Sequence, residues 1–126
     1  MVDKRKNKHR VVESGRIYIV ATFNNTIITI TDEKGNPIIV GSSGMQGFTG
    51  TRKSTPYAAS TTAETVLRKA LENHSFRRAN IFVKGIGPGR ESALRSVRSS
   101  PIEIEKIIDI TPIPHNGVRP PKIRRV

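Results

Sequence analysis

The 126-residue chain contains no cysteine and no tryptophan, and it has only two tyrosines and four phenylalanines. Without cysteine, the chain can form neither a disulfide framework nor a thiolate metal site. Acidic residues are also scarce, with ten Asp and Glu against 22 Lys and Arg, and they are dispersed along the sequence. His9, His74 and His115 stand far apart, and none has a carboxylate or hydroxyl partner at a suggestive spacing. A metal-dependent nuclease needs converging carboxylates, so we expect no enzyme, no catalytic residue, no metal and no cofactor.

Long hydrophobic runs are absent as well. The apolar segment from Ile17 to Phe23 follows a basic N-terminus, but it is too short and too β-branched for a signal peptide or a membrane helix. We therefore expect a soluble intracellular protein without membrane association. A length of 126 residues fits one domain with a modest core.

What the chain has in excess is positive charge: the formal net charge is +12 and the isoelectric point is about 11.0. A surplus of this size indicates nucleic acid or another polyanion as the partner. Residues 1–15 predict a basic arm, and residues 114–126 form an acid-free tail whose three prolines stiffen an extended backbone. Residues 16–113 between them are expected to fold as a single domain.

Alternating and β-branched residues predict five strands, at residues 16–23, 26–31, 37–41, 80–84 and 102–110. Turn residues between the first three strands predict an antiparallel meander. Apolar residues at spacings of three and four predict one helix that begins at Pro56, capped by Ser54 or Thr55, and a second helix over residues 90–98. The order β-β-β-α-β-α-β predicts an α/β domain with a mixed sheet of about five strands.

Two glycine-rich segments suggest where a polyanion can bind. Gly85 to Glu91 lies between a strand and a helix, where close backbone approach, the helix N-terminus and Arg90 favour phosphate binding; a tight βα turn is the alternative. This segment matches neither the Walker loop nor the dinucleotide fingerprint. Gly41 to Thr55 carries Arg52 and Lys53 near its end, which suits a sugar-phosphate chain, or else it is a flexible surface loop. Because aromatic residues are few, we expect readout of phosphates and shape rather than of bases.

Four ordered segments of the chain resemble the eleventh small-subunit ribosomal protein family in its bacterial or organellar form. They are Phe23-Asn-Asn-Thr-Ile27 ahead of Thr31-Asp32, Gly50-Thr-Arg-Lys-Ser-Thr-Pro56, Gly87-Pro-Gly-Arg-Glu91, and Asp109-Ile-Thr-Pro-Ile-Pro-His-Asn-Gly117 with the Arg-Pro-Pro-Lys ending. The similarity runs from about residue 15 to the C-terminus. It implies a three-layer α/β/α fold of ribonuclease H-like topology, without nuclease carboxylates and with basic N- and C-terminal extensions. It also implies a structural protein that binds small-subunit rRNA on the platform, near the exit path of messenger RNA, and that supports assembly and translation.

On this resemblance the expected partners are small-subunit rRNA and neighbouring platform ribosomal proteins, with messenger RNA close by, on a cytoplasmic or an organellar ribosome. We expect no homo-oligomer. A general DNA- or chromatin-type binder is the alternative that charge alone allows, and an enzyme acting on nucleic acid or a phosphate ester is a third. The residues expected to contact RNA are Lys4, Arg5, Lys6, Lys8, Arg10, Asn24, Asn25, Gly50, Arg52, Lys53, Ser54, Gly87, Gly89, Arg90, His115, Asn116, Arg119, Lys122, Arg124 and Arg125.

Overall fold

The computed structural model describes residues 11–112, which form a five-stranded mixed sheet and two α-helices. The strands lie in the order β3-β2-β1-β4-β5. β2 is antiparallel to β1 and to β3, whereas β4 and β5 run parallel to β1. The predicted order of elements, the meander and the mixed sheet are confirmed. The elements are β1 (Ser14–Ala21), β2 (Thr26–Asp32), β3 (Pro37–Ser42), α1 (Pro56–His74), β4 (Arg78–Lys84), α2 (Arg90–Ser99) and β5 (Glu103–Asp109).

Alternation along β1 gives the sheet two different faces. Ile17 is fully buried, while its neighbours Arg16 and Tyr18 are half-buried, because successive side chains of a strand point to opposite faces. Cross-strand partners share a face, and the partners of Ile17 on either side, Ile30 and Ile81, are also fully buried. The apolar core therefore lies against one face of the sheet.

Local signals set the start of α1 as predicted. Thr55 caps the helix, since its Oγ1 accepts a hydrogen bond from the Ala58 N–H at 3.2 Å, and Pro56 takes the first helical position. The helix packs so closely on the sheet that a Cβ on Gly41 of β3 would lie 2.3 Å from Cγ2 of Val66. The absence of a side chain at position 41 thus sets how near α1 comes to the sheet.

The second helix, α2, lies on the same face of the sheet as α1. Its buried residues Ala93, Leu94 and Val97 belong to the same core cluster as the buried side chains of α1 and the strands. The expected three-layer α/β/α arrangement is therefore wrong for residues 11–112, which form two layers. The reason is topological: β3, β4 and β5 are parallel, and the connections through α1 and α2 both move in the same direction across the sheet. Right-handed crossovers then place both helices on one face.

The folded body begins earlier than the predicted boundary at residue 16. The Val12 N–H donates to the His74 carbonyl oxygen at 2.9 Å, and the N–H groups of Arg77 and Arg78 donate to the Glu13 carbonyl oxygen at 2.8 and 2.9 Å. These bonds attach residues 11–13 to the ends of α1 and β4. Across residues 11–112, neither helix is both long and apolar enough to cross a membrane.

Candidate nucleic-acid interface

The loops that the sequence singled out meet at one end of the sheet, which we call the loop end. Strands β1, β3, β4 and β5 all run in the same direction, so their carboxyl-terminal ends lie together. Residues 22–25, 43–55, 85–89 and 110–112 follow these four strands and make up the loop end. Loops at the carboxyl ends of strands are a common position for binding sites in α/β proteins.

The turn after β4 packs directly on the backbone after β1. The Gly87 N–H donates to the Ala21 carbonyl oxygen at 3.1 Å. A Cβ on Gly87 would lie 2.2 Å from the Thr22 carbonyl oxygen, and a Cβ on Gly85 would lie 2.0 Å from that of Ala21. Gly85 also has a φ of +97°, which strongly favours glycine. The neighbouring backbone therefore leaves no room for a side chain at positions 85 and 87. This is the tight βα turn that the sequence analysis gave as the alternative to phosphate binding.

Gly87 and Gly89, both predicted to contact RNA, are buried. A Cβ on Gly89 would lie 2.3 Å from Oγ1 of Thr26 and 2.8 Å from Cβ of Ala59, so the start of α2 is wedged between β2 and α1. No side chain caps the N-terminus of α2. Backbone N–H groups in the first turn of a helix attract anions. Since no side chain caps α2, its first N–H groups remain available for a phosphate.

Arg90 contacts the protein itself. One guanidinium nitrogen donates to the Gly85 carbonyl oxygen at 2.8 Å, and the other lies 2.9 Å from Oδ2 of Asp109 in an ion pair. Oγ1 of Thr111 accepts a hydrogen bond from the Gly85 N–H at 3.0 Å. Hydrogen bonds from the side chain and backbone of Thr111, and then from Arg90, lower the pKa of Asp109 from 3.8 to about 2. Arg90 thus fastens the end of β5 to the turn after β4, and its predicted contact with RNA would compete with this ion pair.

Local hydrogen bonds hold the turn after β1. Oγ1 of Thr22 accepts from the backbone N–H groups of Asn24 and Asn25 at 3.3 and 3.0 Å, and Oδ1 of Asn25 accepts from the Thr26 N–H at 2.8 Å. The side chain of Asn24 is exposed and makes no hydrogen bond to the described part of the chain. Of the two asparagines predicted to contact RNA, Asn24 is therefore the better placed.

The cations Arg52 and Lys53 lie in a 3₁₀ turn, Gly50–Ser54, that the sequence did not predict. The Arg52 carbonyl oxygen accepts from Oγ1 of Thr55 at 2.8 Å, which ties this turn to the cap of α1. The Arg52 side chain is exposed and Lys53 is half-buried. Neither cation forms an ion pair with an acid in residues 11–112. The loop end therefore presents unneutralised positive charge.

Sequence reasoning missed a set of exposed apolar side chains in the loop end and at the adjoining start of α1. Phe23, Met45, Tyr57 and Ile86 are each between 68% and 72% exposed. The Tyr57 ring packs edge-to-face on Phe48, with 5.8 Å between the ring centroids. A low aromatic count argued against contacts to bases, but exposed rings at a cationic surface are suited to stacking on unpaired bases. The sequence feature that could have predicted this surface is Phe23, because it stands in a turn and a side chain in a turn cannot reach the core.

The other predicted RNA contacts lie outside the described residues: Lys4, Arg5, Lys6, Lys8, Arg10, His115, Asn116, Arg119, Lys122, Arg124 and Arg125. Residues 1–10 and 113–126 hold nine of the 22 cations and one of the ten acids, so they carry +8 of the net charge of +12. Pro112, where the described chain ends, follows β5 and belongs to the loop end. The C-terminal segment therefore starts from the surface that carries the cations and exposed rings.

Metal chemistry has no candidate in the described part of the chain. No three His, Asp or Glu side chains of residues 11–112 are grouped so that they could hold a metal ion. Glu33 and Glu105 line one cleft at the end of the sheet opposite the loop end, but they share it with Arg16 and Arg78.

Comparison with known protein families identifies a match over residues 15–125 to the family described as ribosomal protein S11. This span includes nearly the whole sheet, both helices and every loop of the loop end. The family consists of structural, rRNA-binding proteins of the small ribosomal subunit that serve translation and are not enzymes. A match over most of its length, joined to the cationic loop end, shows that the chain belongs to the ribosomal protein S11 family.

Proposed function

We propose that the loop end binds small-subunit rRNA at the platform, near the exit path of messenger RNA, and that the protein thereby supports assembly and translation on the cytoplasmic ribosome. The observation that carries this proposal is the convergence of two cations without an ion-pair partner in residues 11–112, exposed rings and an uncapped helix N-terminus at one end of the sheet. Membership of the family disfavours the general DNA-binding alternative, which rested on charge alone.

The chemistry of the loop end divides into two kinds of contact. Arg52 extends into solvent, and together with the half-buried Lys53 it neutralises phosphates, while the first turn of α2 adds backbone donors. Phe23 and Tyr57 offer rings on which unpaired bases of an rRNA loop stack. Phosphate contacts supply most of the affinity, while stacked bases select single-stranded RNA over a regular duplex.

Contacts among the turns prepare this surface before RNA arrives. Gly87 holds the turn after β4 against Ala21, and Arg90 holds that turn to Asp109 at the end of β5. A surface that is already ordered loses less conformational entropy on binding. Arg90 therefore serves RNA binding as a positioning residue, by fixing the loops and the point from which the C-terminal segment leaves.

We propose also that the sheet has the ribonuclease H-like topology that the resemblance implied. The support is the strand order β3-β2-β1-β4-β5 in which β2 alone is antiparallel to the rest.

The salt dependence of rRNA binding tests the proposal. Replacing Arg52 and Lys53 together with alanine should lower the log–log slope of affinity against salt by roughly 1.5, since each phosphate contact contributes about 0.7 to 0.9. Arg68 and Lys69 are the matched control, because they are adjacent exposed cations on α1, away from the loop end. Their double alanine variant should keep the wild-type slope. Equal slopes for the two variants would refute the loop end as the RNA-binding surface.

A further inference from the structure

The sheet face opposite the helices, which we call the open face, carries no helix of residues 11–112. Strand register places one row of residues across all five strands on this face, in the order Val40, Thr29, Tyr18, Phe82 and Ile108. Val40 is 50% exposed and Ile108 is 38% exposed. Apart from the hydroxyls of Thr29 and Tyr18, the row is therefore an apolar band that crosses the full width of the sheet, with exposed residues at its two edges and half-buried residues at its centre.

The two aromatic rings at the centre of the band stack on each other. The ring centroids of Tyr18 and Phe82 are 5.0 Å apart and the rings are inclined by 16°. This separation matches the spacing of neighbouring strands, so the rings stand side by side with their edges towards solvent. The guanidinium of Arg16 lies 5.8 Å from the Phe82 centroid and donates to the Tyr18 hydroxyl at 3.2 Å. Base-stacking sheets present ring faces, and this pair presents edges.

The charge beside the band is positive at two positions. Val20 and Asn80 stand two residues from Tyr18 and Phe82 on the same strands, so they lie on the open face as well. Their cross-strand partners are Lys84 and Lys106, and cross-strand partners share a face. Both lysines are exposed, and neither forms an ion pair within residues 11–112. Arg16 differs, because it shares its cleft with two glutamates. The unneutralised charge on this face is therefore that of the two lysines.

We propose that the open face docks a protein segment that presents aliphatic side chains next to Asp or Glu. An aliphatic and ring-edge band gains from apolar contact but offers nothing to a phosphate, which argues against RNA. The carboxylates complement Lys84 and Lys106. A second copy of this chain is disfavoured, because a symmetric pairing of open faces would bring like charges together. The inference rests on the proposed function, since the partner is a neighbouring protein of the small subunit.

Site-specific photo-crosslinking in purified small subunits tests the inference. The full chain carries p-benzoylphenylalanine either in place of Val40, on the open face, or in place of Phe23, at the loop end. The probe at position 40 should cross-link to a ribosomal protein, at a peptide that contains aliphatic residues and Asp or Glu. Adding K84E and K106E should lower the yield roughly threefold or more, since attraction becomes repulsion at both positions. K69E, an equal charge change at an exposed position of α1, should leave the yield unchanged.

The two probe positions separate the two proposals. A cross-link from position 40 to rRNA or to a second copy, a peptide without acids, or no cross-link would overturn the docking proposal, as would a yield that is unaffected by K84E and K106E. If the probe at position 23 still cross-links to rRNA, the proposed function survives that failure. If the protein enters small subunits and the probe at position 23 does not reach rRNA, the proposed function of the loop end fails instead.

Discussion

Replacing Gly87 with alanine should destabilise the protein through one identifiable contact. Position 87 does not have a positive φ, so the backbone conformation itself accepts alanine. The added Cβ would instead lie 2.2 Å from the carbonyl oxygen, 2.6 Å from the carbonyl carbon and 2.8 Å from the nitrogen of Thr22. Because all three are backbone atoms, the clash cannot be relieved by rotating a side chain, and the two turns must move apart.

The size of the effect follows from two contributions. Overpacking at a close contact costs about 1–3 kcal/mol, and moving the turn also weakens the hydrogen bond from the Gly87 N–H to Ala21, worth about 1 kcal/mol. The lower entropy of unfolded alanine offsets roughly 0.5 kcal/mol of this. We expect a loss of about 1.5–3.5 kcal/mol in the free energy of unfolding, or roughly 5–20 °C in melting temperature.

Urea unfolding followed by circular dichroism measures this loss. Gly47→Ala is the control: Gly47 has a φ of +94° but nothing within 4 Å of its added Cβ, so only strain remains, at about 1 kcal/mol. If Gly87→Ala unfolds within about 0.5 kcal/mol of the wild type, the packing argument is refuted. Lost rRNA affinity at unchanged stability would instead mean that the position serves RNA directly.

Two further predictions concern groups whose partners are fixed by the structure. Thr55→Ala should cost about 1 kcal/mol because α1 loses its cap, whereas Thr65→Ala, within α1, should stay within about 0.5 kcal/mol; urea unfolding compares them, and equal costs would disprove the capping role. The Asp109 carboxyl should titrate at about 2 by carbon-detected NMR, and Thr111→Val should raise its pKa towards 3.8. Since the folded-state pKa is lowered, the stability it contributes is constant above pH 3.8 and is lost only as the pH falls towards 2; a midpoint near 3.8 in the wild type would contradict the assigned hydrogen bonds.

Short-range signals predicted most elements correctly. The pair Thr55 and Pro56 placed the start of α1 at the right residue. Alternation in β1 and β-branched residues in β2 identified the first two strands, although β1 begins and ends two residues earlier than predicted. These features were readable because caps, turns and side-chain alternation depend on residues that are close in sequence.

What the sequence could not provide depends on residues that are far apart in it. An apolar stripe shows that a helix packs on a sheet, but only the strand order decides on which face, and the expected third layer was wrong for that reason. Arg90 is followed 19 residues later by its partner Asp109, and no local pattern joins them. The sequence shows only that Phe23 and Tyr57 are two of a small number of aromatic residues. Whether their rings are buried or exposed depends on how the strands and helices pack around them.

A side chain added at a glycine can clash either with another side chain or with the backbone. Which of the two it meets decides whether a second substitution can make room for it. At Gly41 the nearest obstacle is the side chain of Val66, so a smaller residue at position 66 makes room for alanine at position 41. At Gly87 the obstacles are backbone atoms of Thr22, which every amino acid carries. We therefore expect positions 41 and 66 to covary among relatives, whereas glycine at position 87 has no compensating partner and stays invariant.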